Sequence, residues 1–382
     1  MSYLQEYKLT LECATPIFIG AADSQVLNKT QYLYAREKNR VYFLKEHAWI
    51  DFLAKNNLFD KFFVAVQTGQ MRDLYTWLGN QGISFEAMKP FIKGVAIVPT
   101  QEKNNLNELI NFVKDGYGDA YVPGSSIKGA LRTAIIAHKI EKNKNYLQNK
   151  YWPEIKEALS RADKNLAKRK LNELESELLH KLEIENNEGR LTSTDNAICS
   201  SLKGLQVSDA KLTKPVATVI LQKKDWVFSK IKGDKDNSIS LYRECLQAKT
   251  CLDFTITFDT RILATLGLSN ISELLAWQQE FTYRALTLNL KDFKNRKSEL
   301  ATNQISANII LGGGSGFLSK TIVYNLAPSE KEARDTIAAF LDRTFKHGHQ
   351  MADAQVSPRT LKIAEVDGKN YVMGLAKIRE RG

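Results

Sequence analysis

From Tyr7 to Cys13 apolar and polar residues alternate: Tyr7, Leu9, Leu11 and Cys13 fall on one side, Lys8, Thr10 and Glu12 on the other. A period of two marks a half-buried strand. Thr15-Pro-Ile-Phe-Ile-Gly20 follows, and then a polar loop that holds Asp23. Tyr32–Tyr34 and Val41–Leu44 flank Glu37-Lys-Asn39 and predict a hairpin. Residues 45–95, rich in Trp, Phe and Leu, read as mainly helical, and 96–120 as irregular.

After Pro123-Gly124 the period changes. Ile127, Ala130, Leu131, Ala134 and Ile135 recur at helical spacing. From Glu141 to Glu188 the chain is dense in Lys, Arg and Glu around a stripe of Leu159, Leu166, Leu171, Leu174, Leu178 and Leu182. That pattern predicts a helical pair or insertion with a solvated face. Leu205-Gln-Val-Ser-Asp-Ala210 reads as a buried strand, and a second unit is expected to begin near Lys214.

Within that unit Thr218–Leu221 and Asp225–Phe228 predict two strands, with a turn at Gly233–Asn237. Leu252, Phe254, Ile256 and Phe258 alternate with Asp253, Thr255, Thr257 and Asp259, a strong strand signal. Residues 270–293 and 329–346 read as helices, and Tyr371–Ile378 as a last strand. Ile309-Ile-Leu311 runs into Gly312-Gly-Gly-Ser-Gly-Phe317. Strands and helices mixed in two halves predict an α+β fold, divided into residues 1–213 and 214–382.

The 382 residues suffice for two ordinary domains, and 43% hydrophobic with 25% charged residues fits a globular chain. Lys plus Arg number 54 against 43 Asp plus Glu, a net charge of +11, so a polyanionic partner is the first expectation. The four cysteines form no CxxC pair, which supports neither a zinc ribbon nor a redox motif. Cys13 and Cys251 lie in alternating apolar patterns and are expected to be buried thiols. No basic segment followed by an apolar run opens the chain, and no uncharged stretch reaches membrane-spanning length. The cytoplasm is the expected location, with no membrane partner.

The richest block is Tyr121-Val-Pro-Gly-Ser-Ser-Ile-Lys-Gly-Ala-Leu-Arg-Thr133. Ser125 or Ser126 is positioned to cap the first free amides of a helix. Lys128 and Arg132 share a face, where like charges repel by about 0.2–0.5 kcal/mol. Both also sit in the first turns, where the helix dipole disfavours cations. An arrangement unfavourable on two counts points to a nearby anion, such as a phosphate. The plain alternative is a helix cap with exposed basic residues. Gly124 to Gly129 has the spacing of a nucleotide loop, but Ala130 and Leu131 stand where Lys and Ser/Thr are needed.

The glycines at 312, 313, 314 and 316 permit positive φ and an amide nest for an anion. Phe317 is placed to stack on a base and Lys320 to meet a phosphate. The alternative is a mere flexible turn. His347, His349 and Asp353 make weak evidence for a metal, and loop histidines near RNA read better. Arg359 and Lys362 add basic character beside them. Asp23 is either a loop acid or a turn former.

Three segments together resemble the RAMP superfamily of CRISPR-associated RNA-binding proteins. They are the opening strand with Thr15–Gly20, the block Pro123–Arg132, and Leu205–Ala210. The glycine-rich segment, the region His347–Lys362 and the length narrow the resemblance to the fifth-subunit family of the type III-A effector, the Csm complex. The resemblance implies two ferredoxin-like (RRM-like) modules, 1–213 with helical insertions at about 45–95 and 141–188, and 214–382 with the glycine-rich loop.

It also implies a non-catalytic RNA-binding subunit that caps the CRISPR RNA on its 3′ side and assists its maturation. Its neighbours would be the repeated backbone RAMP subunit and a small helical subunit, with cellular nucleases as recruits. No cofactor and no metal are implied. RNA contacts are expected from Gly124, Ser125, Ser126, Lys128, Arg132, Gly312, Gly313, Gly314, Ser315, Gly316, Phe317, Lys320, His349 and Arg359.

The backbone subunit of such complexes cuts target RNA with a loop aspartate, which makes Asp23 the catalytic candidate if the chain is an endoribonuclease. Processing nucleases of the superfamily often use an early histidine. The first one here is His47, in a helix-like segment, which argues against that activity. An endoribonuclease using Asp23 or a histidine, and a protein-only scaffold, are the two alternatives.

Overall fold

A computed structural model describes residues 2–21, 26–99, 102, 106–185, 189–230, 233–301, 306–345 and 354–381. In chain order the first strands are β1 (Leu4–Cys13), β2 (Val26–Leu27), β3 (Tyr32–Ala35), β4 (Arg40–Leu44), β5 (Ile92–Ile97), β6 (Glu108–Ile110) and β7 (Tyr121–Val122). Then come β8 (Leu205–Val207), β9 (Ala210–Leu212), β10 (Thr218–Val227), β11 (Lys235–Cys245) and β12 (Cys251–Asp259). The last are β13 (Ile309–Ile310), β14 (Thr360–Val366), β15 (Lys369–Val372) and β16 (Leu375–Glu380).

The helices α1 (Glu46–Lys55), α2 (Phe59–Gln67), α3 (Leu74–Asn80) and α4 (Phe85–Met88) fill the first helical region. They are followed by α5 (Gly124–Lys142), α6 (Lys144–Ser160), α7 (Lys164–Leu179) and α8 (Thr260–Ala264). The series ends with α9 (Ile271–Leu290), α10 (Val323–Leu326) and α11 (Glu330–Phe345).

The α+β class holds. One sheet has seven strands in the order β13-β16-β1-β12-β9-β7, with β8 also on β12. Its spine is the antiparallel pair β1 and β12, in register from Leu4↔Asp259 to Glu12↔Cys251. The alternation noted in both strands explains this pairing, because Leu9, Leu11, Leu252, Ile256 and Phe258 are all buried. β16 runs antiparallel along the other side of β1. Helix α5 lies in sequence between β1 and β9, and α9 between β12 and β16.

The second sheet has nine strands, ordered β2-β6-β11-β10-β5-β4-β3, with β14 on β10 and β15 on β14. The two strands expected at 218–221 and 225–228 are one long strand, β10. Its ladder to β11 shifts register between Gln222 and Lys224, where the apolar run breaks. The expected division at 213/214 does not follow the sheets. β1 pairs with β12 and β16, and β10 and β11 pair with β5 and β6, so each sheet draws on both halves. Alternation tells which face of a strand is buried and not which strand lies beside it.

The hairpin 32–44 and the helical pair 144–179 form as expected. Helices α1 to α4 carry a core of their own around Trp49, Leu53, Leu74, Leu78 and Phe91. On α2, Phe59, Phe63, Val64 and Val66 stay exposed. Glu244 is fully buried, and its carboxylate accepts from Lys114 at 2.7 Å, Phe112 N at 3.0 Å and Thr218 Oγ1 at 2.6 Å. A charge so satisfied is tolerated in the interior, and it ties β10, β11 and the segment after β6 together. Cys13 is buried, with its thiol pushed well up by burial, whereas Cys251 is only half-buried; all four cysteines are free thiols.

Candidate nucleic-acid interface

At the start of α5 the chemistry differs from the expectation. Neither Ser125 nor Ser126 makes a capping hydrogen bond. The first amide, Gly124 N, instead donates to Asp209 Oδ1 at 2.8 Å, from the segment between β8 and β9. A long-range carboxylate does the capping, at the positive end of the helix where an anion is favoured. The expected strand 205–210 therefore breaks in two around Ser208-Asp209.

Gly124 is buried, and a Cβ there would stand 2.2 Å from Val207 O and 2.7 Å from Ser208 O. Its lack of a side chain is what this close packing requires. Arg132 is also spoken for: Nε donates to Glu175 Oε1 of α7 at 2.8 Å, and its Nη2 meets the other carboxylate oxygen. Lys128 keeps the expected character. It is half-buried, has no ion pair among the described residues, and burial holds its ammonium below the ordinary lysine value.

The glycine-rich loop is a backbone junction. Gly313 N donates to Phe18 O at 2.8 Å, and a Cβ on Gly312 (φ +79) would stand 2.1 Å from that same oxygen. Gly374 N donates to Pro16 O at 2.9 Å, and Leu311 N to Gly374 O at 2.8 Å. Three distant segments thus meet main chain to main chain, which only glycine permits. Ser315 is buried and turned inward, its hydroxyl donating to Gly312 O at 2.9 Å. Its side chain braces the loop from within. Phe317 is 41% exposed and Lys320 lies at the surface, as a stacking ring and a phosphate cation require.

What the sequence did not reveal is the set of cations under this loop. Lys223 Cδ lies 3.7 Å from the Cβ position of Gly314, and Lys362 Cγ lies 3.6 Å from that of Gly316. Both ammonium groups bond Asp225, at 2.5 and 2.8 Å. Burial lowers the pKa of Lys223; Asp225 opposes that shift, and Lys362 and Arg243 add to it. Arg243 places its guanidinium 5.5 Å from the Phe18 ring centroid, and its Nη1 is buried without a hydrogen-bond partner. Two lysines share one carboxylate and Arg243 adds a third cation with no ion pair among the described residues, so an anion is still called for. The signal lay in charges set inside strands: Lys223 follows the apolar run Val219–Leu221, and Arg243 stands between buried Tyr242 and Glu244.

Arg359 donates from Nη1 to Phe228 O at 3.3 Å, where β14 begins beside the end of β10. His349, with His347 and Asp353, and the catalytic candidate Asp23 lie outside the described residues. His47 is exposed on α1. Among the described residues no group of His, Cys, Asp and Glu is arranged to hold a metal.

The family model of the RAMP superfamily matches residues 10–318, a span that takes in the end of β1, the start of α5 and the glycine-rich loop. The chain belongs to the RAMP superfamily. This RAMP protein is similar end to end to the CRISPR system Cms protein Csm5 of Mycobacterium tuberculosis, 26% identical over 403 aligned positions, covering 100% of this chain and 99% of the relative. Its fold resembles a chain of the cryo-EM Csm–crRNA–target RNA ternary complex of a type III-A CRISPR-Cas system, with a TM-score of 0.67, 16% identity, and 98% and 100% of the two chains covered. It likewise resembles the crystal structure of T. onnurineus Csm5, with a TM-score of 0.60, 15% identity, and 96% and 99% covered. The resemblance noted from the sequence alone is therefore met along the full length of this RAMP protein.

Proposed function

We propose that this RAMP protein is the Csm5-type subunit of a type III-A CRISPR effector, and that it binds CRISPR RNA without cleaving it. In this reading it caps the RNA on its 3′ side in the cytoplasm and assists maturation, beside the backbone RAMP subunit and a small helical subunit, with cellular nucleases recruited. End-to-end similarity to Csm5 proteins supports the assignment. The observation that carries RNA binding is the cluster Lys223, Arg243 and Lys362 under the glycine-rich loop, in which the two lysines share the carboxylate of Asp225 and Arg243 has no ion pair among the described residues. Ribose-phosphate backbone supplies the missing negative charge, and Phe317 offers a face for a base. Lys128 adds a further phosphate contact. No helix among the described residues is long and apolar enough to cross a membrane.

The sheet order supports one ferredoxin-like module assembled across both halves: chain order β1-α5-β9-β12-α9-β16, spatial order β16-β1-β12-β9, every neighbouring pair antiparallel. The exposed Phe59, Phe63, Val64 and Val66 of α2 suit contact with a neighbouring subunit.

Binding of labelled single-stranded RNA by the full chain across a salt titration tests the proposal. Affinity that falls steeply with salt, and more weakly so in Lys362→Ala, is expected. Failure to bind at low salt would leave the protein-only scaffold. Incubation of RNA with Mg²⁺ or EDTA decides the nuclease alternative, since cleavage lost in Asp23→Ala would overturn the non-catalytic reading.

A further inference from the structure

A groove of about 440 Å³ opens between α1, α2, β4 and the segment after β6. That volume falls in the roughly 300–1,000 Å³ range of small-ligand sites. Phe43, Trp49 and Phe62 give it aromatic walls, and Gln31, Glu46, Lys93 and Asn111 give it polar edges, one acidic and one basic. Asn111 Oδ1 is buried and has no hydrogen-bond partner among the described residues. An unmade bond of that kind costs about 1–3 kcal/mol unless something donates to it. Lys93 is exposed at the rim with no ion pair among the described residues.

Beside the rim stands Tyr117, 95% exposed. Its turn is closed by hydrogen bonds: Asp115 Oδ1 accepts from Tyr117 N at 2.9 Å and from Asp119 N at 3.0 Å, and Gly118 N donates to Asp115 O at 3.0 Å. Gly118 rests on Lys93, whose carbonyl would be 3.5 Å from a Cβ there. A bulky ring held in water on a hydrogen-bonded turn is positioned for a flat partner.

We propose that the groove takes one unstacked base of the bound RNA, while Tyr117 stacks on a base next to it. The Watson–Crick edge of every RNA base carries an N–H, the kind of donor that Asn111 Oδ1 lacks, the aromatic walls suit a base, and Lys93 suits the adjoining phosphate. Main-chain hydrogen bonds also tie the segment that carries Asn111 to the glycine-rich loop. Two residues beyond Asn111, Val113 N donates to Ile19 O at 2.8 Å, and the preceding Phe18 carbonyl receives Gly313 N at 2.8 Å. The inference rests on RNA lying along that loop.

The test uses the full chain, single-stranded RNA of mixed sequence and the same RNA carrying 4-thiouridine. Ultraviolet cross-links mapped to Tyr117 or to the groove are expected. Tyr117→Ala should weaken binding about 5- to 100-fold, and Asn111→Leu about tenfold, both with the salt slope unchanged, since neither residue meets a phosphate. Should Asn111→Leu fail to fold, Tyr117→Ala, on a surface turn, carries the test. Cross-links at Phe317 together with wild-type affinity in Tyr117→Ala would overturn the base pocket and leave the glycine-loop reading standing. Absence of all RNA binding would overturn both. Cross-linking of the groove to a protein subunit in the assembled complex would overturn it in favour of a protein occupant.

Discussion

The start of α5 and the glycine-rich loop look alike in sequence, each with glycines, serines and nearby cations, yet the fold treats them differently. At α5 the neighbouring cations are divided. Glu175 neutralises Arg132, Asp209 fills the helix-start anion position, and Lys128 alone stays available. At the glycine-rich loop the cations come from elsewhere. Lys223, Arg243 and Lys362 arrive on three strands, where the two lysines bond Asp225 and Arg243 lies against the Phe18 ring. Cations adjacent in sequence are therefore largely neutralised by the fold, whereas cations brought together by strand pairing keep an excess of positive charge.

Removing the convergent set should produce the largest effect. Lys223→Ala, Arg243→Ala and Lys362→Ala combined should weaken RNA binding about 100-fold, at roughly 1 kcal/mol per charged contact. The slope of log affinity against log salt should fall by about 2, three phosphates at about 0.7 each. If Arg132→Ala matched that loss in the same titration, the contrast between the two regions would be broken.

Backbone packing sharpens the comparison next. Gly312→Ala meets both a positive φ and the Phe18 carbonyl, and should destabilise the fold by roughly 3–5 kcal/mol in denaturant unfolding. Gly124→Ala meets the Val207 and Ser208 carbonyls at an ordinary helical φ and should lose roughly 2–4 kcal/mol. Gly129→Ala, with nothing within 4 Å of its Cβ position, should instead gain about 0.5–1 kcal/mol.

Single charges follow. Lys128→Ala should lower the salt slope by about 0.7 with little change in stability, whereas Arg132→Ala should leave RNA binding within about twofold. The half-exposed ion pair of Arg132 should cost under about 1 kcal/mol of stability when broken.

The smallest effect is in pH. Burial lowers the pKa of Lys223 from the ordinary 10.5, so just below that value the unfolded chain binds more protons than the folded one. Stability without RNA should therefore rise with pH across that window, while RNA binding, which needs the ammonium, should weaken. Lys223→Arg should hold its affinity to higher pH. An identical pH profile for the two proteins would remove Lys223 from the site.

Much of the secondary structure was legible because burial imposes its period on a chain. The alternation of β1 and β12, the helical spacing of α5 and the leucine stripe of α6 and α7 all say which face is buried. The glycine-rich loop was legible as a place where side chains are forbidden. Its reason was not, because the carbonyl that forbids them belongs to Phe18, far away in sequence. Ser125 and Ser126 misled for the same reason: a local cap is the default, and Asp209 displaced it from a distance of 85 residues.

The sequence alone determined the α+β class, the RAMP resemblance, the basic character and the importance of two glycine-bearing segments. These follow from composition and short-range periodicity, which a chain carries whatever its partners. Only the tertiary structure decided which cations stand together, which are neutralised and which glycines are packing contacts. Strand pairing joins residues hundreds of positions apart, and a charge acquires its chemical role from the groups that surround it in space.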